Sequence, residues 1–163
     1  IGDQLSNVLN KNPVFNSLVE VSQGYIPKSF IENDGERAQI YKEIFSASNP
    51  SHLADVENRI RGLFGFCHKN VKNLIADKLL SFDAAKVGLV SVLKKDFGCV
   101  FVFNSDFYKN NINVLLSSVE NFCKKSSIIY VFKSNKNLLN LECFVEQKNV
   151  RLFCLSLIKN LLR

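Results

Sequence analysis

The sequence predicts an α/β protein, a three-layer α/β/α sandwich around a small central sheet that is mostly parallel or mixed. Two short apolar runs, Gly98–Phe103 and Ser126–Lys133, are rich in Val, Ile, Phe and Tyr, which is typical of strands buried on both faces. Between them, apolar residues recur at the spacing of one helix face over Ile112–Lys125. Strand, helix and strand joined by short connections form a crossover unit, which predicts a parallel pair of strands.

The N-terminal part predicts helices separated by turns. A short helix is predicted from Asp3 to about Lys11. Asn12 followed by Pro13 is typical of an N-cap with proline at the first helical position, so a second helix is predicted through about Ser22. The apolar residues of Gly35–Ala47 share one helix face and predict a third helix. The Asn49-Pro50 pair repeats the start with an N-cap and proline, and predicts a fourth helix to about Leu63.

The C-terminal part predicts further helices and strands around the crossover unit. Asn70–Leu80 carries apolar residues on one helix face, and Asp83 is a natural N-cap for a helix over Ala84–Lys95. We expect residues 1–66 to form a helical extension or small helical subdomain, and residues 67–163 to form the sandwich domain. The remaining predicted elements are a short helix at Asn135–Leu141, a strand at Asn149–Leu157 and a helical turn at Ile158–Arg163.

The charge is unevenly distributed along the chain. Residues 1–66 carry 6 basic and 8 acidic side chains, whereas residues 67–163 carry 15 basic and 7 acidic ones. A basic half favours contact with a polyanion, although a solvated lysine-rich helix face has the same composition. Lysines screen phosphates without reading bases, so such binding would be salt-sensitive and weakly specific. The candidate RNA-binding residues are Lys86, Lys94, Lys95, Lys133 and Lys136.

The composition disfavours several classes of site. No apolar run approaches the roughly 20 residues that cross a bilayer, and no glycine-rich phosphate loop is present, so we expect neither a membrane span nor a cofactor. The five cysteines contain no CxxC pair, which favours buried reduced thiols over a disulfide framework or a metal site. Adjacent Cys67 and His68 would point to opposite faces of an extended segment. We therefore expect no catalytic or metal-binding role for either His52 or His68.

Asp106 supports a hydrolase hypothesis. It lies just past the C-terminal end of the first buried strand, a position where α/β sheets often carry chemistry. A metal-dependent nuclease or other hydrolase would need further carboxylates nearby, and a turn-forming aspartate is the alternative interpretation. Its neighbours Phe107 and Tyr108 would either stack on a base or plug the start of the next helix. We expect no enzymatic activity.

Three segments carry a resemblance to a known family. Cys99–Asp106 is an apolar strand ending in an acidic residue, Asn113–Leu138 is a helix followed by a Tyr-Val strand and a Ser-Lys helix start, and Val150–Ile158 is a last strand. Over residues 69–163 this order resembles the ribosomal and ribonucleoprotein family that binds RNA kink-turns and includes a ribonuclease P subunit. The resemblance implies an α/β/α sandwich that binds structured RNA. The family's Gly-Asn-Glu motif is absent from the corresponding window, Phe82–Ser91.

Two main functions follow from these observations. The first is a non-catalytic RNA-binding or ribonucleoprotein-assembly module that contacts structured RNA through its lysine-rich surface. The alternative is a protein–protein interaction scaffold within a larger complex, which keeps the fold without binding RNA and meets protein partners through its helical N-terminal part. Either function predicts an intracellular location, in the nucleus, the nucleolus or the cytoplasm, without membrane attachment.

Overall fold

The structure, a computed structural model, describes residues 16–163. The chain divides into two compact units. We call residues 16–21 and 83–163 the sheet unit, and Ser22–Phe82 the helical unit. The helix predicted from Asp3 to Lys11, and the start of the helix predicted from Asn12, lie outside the described residues.

The described residues form five β-strands and five α-helices, which we number in chain order. The strands are β1 (Leu18–Glu20), β2 (Leu89–Lys95), β3 (Gly98–Asn104), β4 (Ile129–Asn135) and β5 (Leu138–Phe144). The helices are α1 (Asp34–Ser46), α2 (Pro50–Phe64), α3 (Lys69–Lys86), α4 (Ile112–Lys125) and α5 (Val150–Leu162). Two short 3-10 helices, Ser105–Tyr108 and Gln147–Asn149, precede α4 and α5.

Local capping signals define the helices of the helical unit. The side-chain oxygen of Asn33 accepts a hydrogen bond from the backbone N–H of Glu36 at 2.9 Å, and that of Asn49 accepts one from His52 at 2.8 Å. Gly65 ends α2 in the left-handed conformation, with φ of 85°. The predictions of α1 and α2 are therefore confirmed. The core of this unit consists of Ile26, Ile31, Ile40, Ile44, Ala47, Leu53, Val56, Ile60, Cys67, Val71, Leu74 and Ile75.

The sheet unit contains a five-stranded mixed sheet in the order β1-β2-β3-β5-β4. β1 pairs with β2 in parallel, whereas the other three pairs are antiparallel. β3 and β4 therefore run in the same direction, and α4 connects them. The two strands are not directly paired as predicted, because β5 returns from β4 as a hairpin and lies between them.

The two faces of the sheet differ in burial. Successive side chains of a strand point to opposite faces. On one face Val92, Phe101 and Leu141 are fully buried, and the ring of Phe101 lies 6.2 Å from that of Phe153 in α5. On the other face, which we call the open face, side chains are half-buried or exposed. The apolar members of the open face are Leu18, Leu93, Val100, Val102, Ile129, Val131, Leu138 and Phe144.

The helix predicted over Ala84–Lys95 is wrong. Asp83, predicted as the N-cap of this helix, lies inside α3, which continues to Lys86. The second half of the predicted helix is strand β2. Between them Gly88 has φ of 77°, a conformation that glycine adopts without steric cost. A Cβ atom on Gly88 would lie 2.6 Å from the ring of Phe107. The close approach of Phe107, a residue far along the chain, therefore requires glycine between α3 and β2.

Three other segments also differ from prediction. Asn135–Leu141 is the turn and first part of the β4–β5 hairpin, in which Lys136 has φ of 52°, as the favoured two-residue hairpin turns require. Asn149–Leu157, predicted as a strand, belongs largely to α5. The prediction failed because hydrophobic periodicity does not distinguish a short buried strand from a buried helix. Leu18–Glu20, predicted as helix, is β1 because it finds a partner in β2.

The predicted α/β sandwich class with a mixed central sheet is confirmed. The compact units divide after Val21 and after Phe82, whereas the predicted domain boundary lies between residues 66 and 67. That residues 1–66 and 67–163 are separate domains stays a prediction. None of the described helices is long and apolar enough to cross a membrane.

Candidate functional site

The five candidate lysines lie at two ends of the sheet. Lys94 and Lys95 end β2, at the end of the sheet where β3 begins. Lys133 and Lys136 lie in the last part of β4 and the following turn, at the end where β3 finishes. Lys86 precedes β2 at this second end, but two strands separate β2 from β4. The structure therefore does not gather the five lysines into one surface.

Two of these lysines are ion-paired. Lys86 Nζ lies 3.8 Å from Asp83, and Lys133 Nζ lies 3.1 Å from Glu142. Both lysine side chains are largely solvent-exposed, so each pair stabilises the fold little, but each carboxylate offsets a positive charge. A ligand-binding role for any of the five lysines stays a prediction.

Asp106 and Tyr108 have structural roles. Asp106 is exposed, and its backbone N–H donates to Oδ1 of Asn104 at 2.9 Å in a cap of the 3-10 helix. Tyr108 is fully buried, and its hydroxyl donates to the carbonyl oxygen of Val87. Burial raises the pKa of Tyr108, so the phenol stays protonated and plugs the core. Within residues 16–163, no three His, Cys, Asp or Glu side chains are grouped to hold a metal ion, so Asp106 lacks the further carboxylates that a metal-dependent nuclease would need.

All five cysteines are buried free thiols, as the sequence predicts. Cys99 and Cys143 lie opposite each other on β3 and β5. Hydrogen bonds with Cys123 and Cys99, together with burial, raise the pKa of Cys143. Cys99 also hydrogen-bonds with Cys154 of α5. In the helical unit, burial is the main cause that raises the pKa of Cys67. These thiols pack as small apolar side chains.

Both histidines accept hydrogen bonds from nearby backbone groups. The N–H of Ser48 donates to Nδ1 of His52 at 3.5 Å, and that of Asn70 donates to Nδ1 of His68 at 3.1 Å. The ring of His68 also packs 5.6 Å from that of Phe30. These contacts give both side chains a role in local structure.

A groove of about 450 Å³ lies beside strand β4 in the sheet unit. The first half of α4 forms one wall with Ile112 and Leu116, and the second half of β4 forms another with Phe132 and Ser134. α4 buries Leu115 against the sheet, but Ile112 and Leu116 stay partly exposed because β4 is the last strand on this side. The remaining lining residues are Ser105, Tyr108, Lys109 and Leu139.

β4 is an edge strand, and in the described part of the chain it pairs only with β5. An edge strand presents a row of N–H and C=O groups that can pair with another strand. Proteins usually block such edges with bulges, proline or charge. β4 has an unbroken register with β5 and no charged residue before Lys133. Its open-face residues Ile129 and Val131 are 73% and 39% exposed.

The charges around the groove differ between its two ends. Lys109 lines one end of the groove. Ser105 also lines the groove, and its backbone N–H donates to the carbonyl of Asn137 at 2.8 Å, so the turn that contains Lys136 and Asn137 lies beside the groove. Neither lysine forms an ion pair with any of residues 16–163. Farther along α4, burial and then the carboxylate of Glu120 raise the pKa of Tyr130, which places an acidic group beside the first half of β4.

The helical unit contains a second groove, of about 540 Å³. It lies between α1 and α2, and Arg59 at its wall forms an ion pair with Glu43. Backbone groups inside a helix bond within that helix, and in the first turn of α1 the N–H of Glu36 donates to Asn33, so this groove presents mainly side chains. Its lining residues are Asn33, Gly35, Glu36, Gln39, Ile40, Arg59, Leu63 and Phe64.

A model of the TRCF domain family matches residues 21–113, which is more than half of the chain. The chain belongs to the TRCF domain family. A crystal structure of the C-terminal domain of transcription-repair coupling factor superimposes on it with a TM-score of 0.66 and 19% identity, over 90% of this chain and 93% of that chain. This second comparison shows that the two chains share a fold. No curated protein matches the chain.

Membership of the TRCF domain family shows that the resemblance to the kink-turn-binding family is wrong. Apolar strands flanking an amphipathic helix occur in many α/β sandwiches, and the motif specific to the kink-turn family, Gly-Asn-Glu, is absent. The RNA-binding or ribonucleoprotein-assembly function and structured RNA as a partner are wrong for the same reason. The protein-interaction alternative fits a TRCF domain better.

Sequence reasoning missed the groove beside β4 in this TRCF domain. Ile112 and Leu116 were visible as part of an apolar helix stripe, and Phe132 as part of a strand. The position of that strand at the edge depends on β5, whose first residues have the pattern of a short helix. The signal available in the sequence was the width of the α4 stripe, which continues onto Ile112 and Leu116 beside the buried Leu115.

Proposed function

We propose that this chain is a non-catalytic protein-interaction module of a transcription-repair coupling factor. The observation that carries the proposal is family membership over residues 21–113, joined to a shared fold with the C-terminal domain of such a factor over 90% of this chain. The partner is accordingly a protein of transcription or of DNA repair. The same reasoning favours an intracellular location.

The chemistry of the described side chains supports a non-catalytic role. All five cysteine thiols are buried, so none is an exposed nucleophile, and the phenol of Tyr108 is buried and protonated. Asp106 belongs to a capped 3-10 turn. By contrast, the groove beside β4 and the open face of the sheet are surfaces on which another protein can pack.

The test measures binding of the purified chain to RNA polymerase, the enzyme of transcription, and to DNA-repair proteins of the same organism. We expect one of these proteins to bind with a Kd of about micromolar or tighter at physiological salt. A DNA duplex and a structured RNA hairpin serve as controls, and we expect both to bind more weakly and to lose affinity steeply as salt rises. Binding to nucleic acid but to neither group of proteins would contradict the proposal.

A further inference from the structure

We infer that the groove between α4 and β4 binds an extended peptide segment of a protein partner, which pairs with β4 as an added strand. A large apolar side chain of the segment packs against Ile112, Leu116 and Phe132, and an acidic group lies near Lys109 and Lys136. The inference rests on the proposed function as a protein-interaction module and names the chemistry of the partner.

The free edge of β4 explains why the segment is extended. β4 has seven residues and pairs with β5 along its whole length, and its other side has no partner among residues 16–163. A peptide that adds a strand to such an edge gains main-chain hydrogen bonds, while pockets for its alternate side chains provide specificity. The groove lies on the α4 side of this edge, where every second side chain of an added strand would point.

The size and lining of the groove explain the apolar side chain. A volume of about 450 Å³ lies within the range of ligand pockets, about 300–1,000 Å³. The walls from α4 and β4 are mainly apolar, through Ile112, Leu116 and Phe132. A buried aromatic or aliphatic side chain in such a pocket commonly provides much of the binding energy of an interface.

The charges give the segment a direction. Lys109 and Lys136 lie at the end of the groove where β4 finishes, with Asp106 as the nearby acidic residue, whereas Glu120 lies beside the first half of β4. The sheet unit as a whole carries 12 Lys and Arg against seven Asp and Glu in its described residues. An acidic group of the partner is therefore favoured at the lysine end and disfavoured beside Glu120.

A second copy of this chain is the alternative occupant of the same edge, and the charges that it would meet there are mixed. Antiparallel pairing of two β4 strands would bring the end of one strand beside the start of the other. Lys124 and Lys125 end α4 shortly before β4, and Lys133 and Lys136 lie at its end. Two-fold pairing would bring the lysines at the end of one β4 beside both the lysines that end α4 and Glu120 in the other copy, so these charges do not favour a second copy.

The experiment selects peptides from a random dodecapeptide display library on the purified chain and measures their affinity by fluorescence polarisation. We expect enriched peptides to share a large apolar residue and an acidic group. Methylating alternate peptide amides, one variant at a time, should weaken binding with a period of two, since only the amides facing β4 donate to it. A period of three to four, as for a bound helix, would overturn strand addition.

Matched variants locate the binding site. Ile112→Lys is expected to weaken the selected peptides at least about tenfold, whereas Leu152→Lys, an equally drastic change at an exposed helical residue outside the groove, should change affinity less than about twofold. Lys109→Glu combined with Lys136→Glu should shift the selected peptides from acidic to basic, and Lys95→Glu at the other end of the sheet should not. Peptide binding that survives both groove variants would overturn the inference.

Two further outcomes separate this inference from the proposed function. If the Ile112→Lys chain keeps its thermal melting curve and binds its transcription or repair partner like the original chain, the groove inference fails and the proposed function stands. If the chain binds selected peptides in the groove but binds none of those partners, the proposed function fails instead. Concentration-dependent dimerisation that Ile112→Lys abolishes would assign the groove to a second copy and overturn the peptide assignment.

Discussion

The helical unit takes its form from residues close in sequence, whereas the sheet unit takes its form from strands that are far apart in the chain. In the helical unit, Asn33 and Asn49 each cap a helix through a backbone group three residues away. In the sheet unit, β1 pairs with β2, and β3 pairs with β5 across the whole of α4. The effect of a single substitution on the stability of the helical unit should therefore follow from its local contacts. The stability of the sheet unit should depend instead on the register of its paired strands.

The two units also differ in what they offer a partner. The helical unit is nearly neutral, with eight basic and seven acidic side chains, whereas the sheet unit has its surplus of lysines. Each described unit contains a groove, but only the groove of the sheet unit lies beside a strand edge with backbone groups to share. A partner segment that depends on main-chain hydrogen bonds would therefore be expected at the sheet unit.

The largest expected loss of stability comes from truncating a buried side chain in either core. Leu141→Ala in the sheet unit and Leu53→Ala in the helical unit each remove a side chain that is at most 2% exposed. Each should lower the free energy of unfolding by about 2–5 kcal/mol, through lost burial and the cavity left behind. Urea denaturation followed by circular dichroism measures this, with the exposed Leu152→Ala as control. An unchanged midpoint for one variant would show that its unit lacks a tightly packed core.

Close backbone contacts give the next largest effect. A Cβ atom at Gly98 would lie 2.1 Å from the carbonyl oxygen of Cys143, and one at Gly24 would lie 2.1 Å from the backbone nitrogen of Leu74. Gly98→Ala and Gly24→Ala should each destabilise the protein by about 1–3 kcal/mol, because backbone must move to admit the methyl group. Thermal unfolding provides the measurement. Tolerance at Gly98 alone would indicate that the β3–β5 register can slip.

Substitution of helix N-cap residues should have a smaller effect on stability, and one that differs between the two units. Asn49→Ala removes a side-chain hydrogen bond to the first turn of α2 and should cost about 1 kcal/mol. Asn111 precedes α4 in the sheet unit but makes no capping hydrogen bond through its side chain, so Asn111→Ala should cost much less. Equilibrium unfolding of the two variants compares them directly. Equal losses would mean that capping does not distinguish the units.

The smallest expected effect is a gain in stability within α2. Gly62 lies inside the helix, and a Cβ atom added there would meet no neighbouring side chain within 4 Å, so Gly62→Ala should stabilise the protein by about 0.5–1 kcal/mol. Gly65 has equally open surroundings but φ of 85°, so Gly65→Ala should be destabilising. Differential scanning calorimetry compares the two. The same sign for both would show that backbone conformation is not what ends α2.

The sequence was sufficient for elements that carry their own start and stop signals. α1 and α2 follow from cap residues and from apolar spacing, and the α/β class follows from the strand–helix–strand pattern around α4. It was insufficient for Val150–Ile158, where an all-apolar stretch fits a helix or a strand equally well and tertiary packing decides. The apolar stripe of α4 indicated one wall of the groove, but its second wall could not be predicted, because the edge position of β4 depends on the placement of β5.

Function was harder to predict than fold for a related reason. Lys94 and Lys133 are both basic and both near loops, but the strand register places them at opposite ends of the sheet. Only the order of strands reveals that separation. A backbone hydrogen bond between Ser105 and Asn137 joins the two segments that carry Lys109 and Lys136, and the sequence has no local signature for that bond.

The pairing of β1 with β2 has a consequence for how the protein is made. The helical unit, Ser22–Phe82, lies in sequence between the two paired strands. Because the ribosome releases the chain from its N-terminus, all residues of the helical unit emerge before Ser91–Leu93, the partner of β1, has been synthesised. β1 must therefore wait, with Val19 unburied, and during that interval it is open to nascent-chain chaperones or to mispairing with another polypeptide.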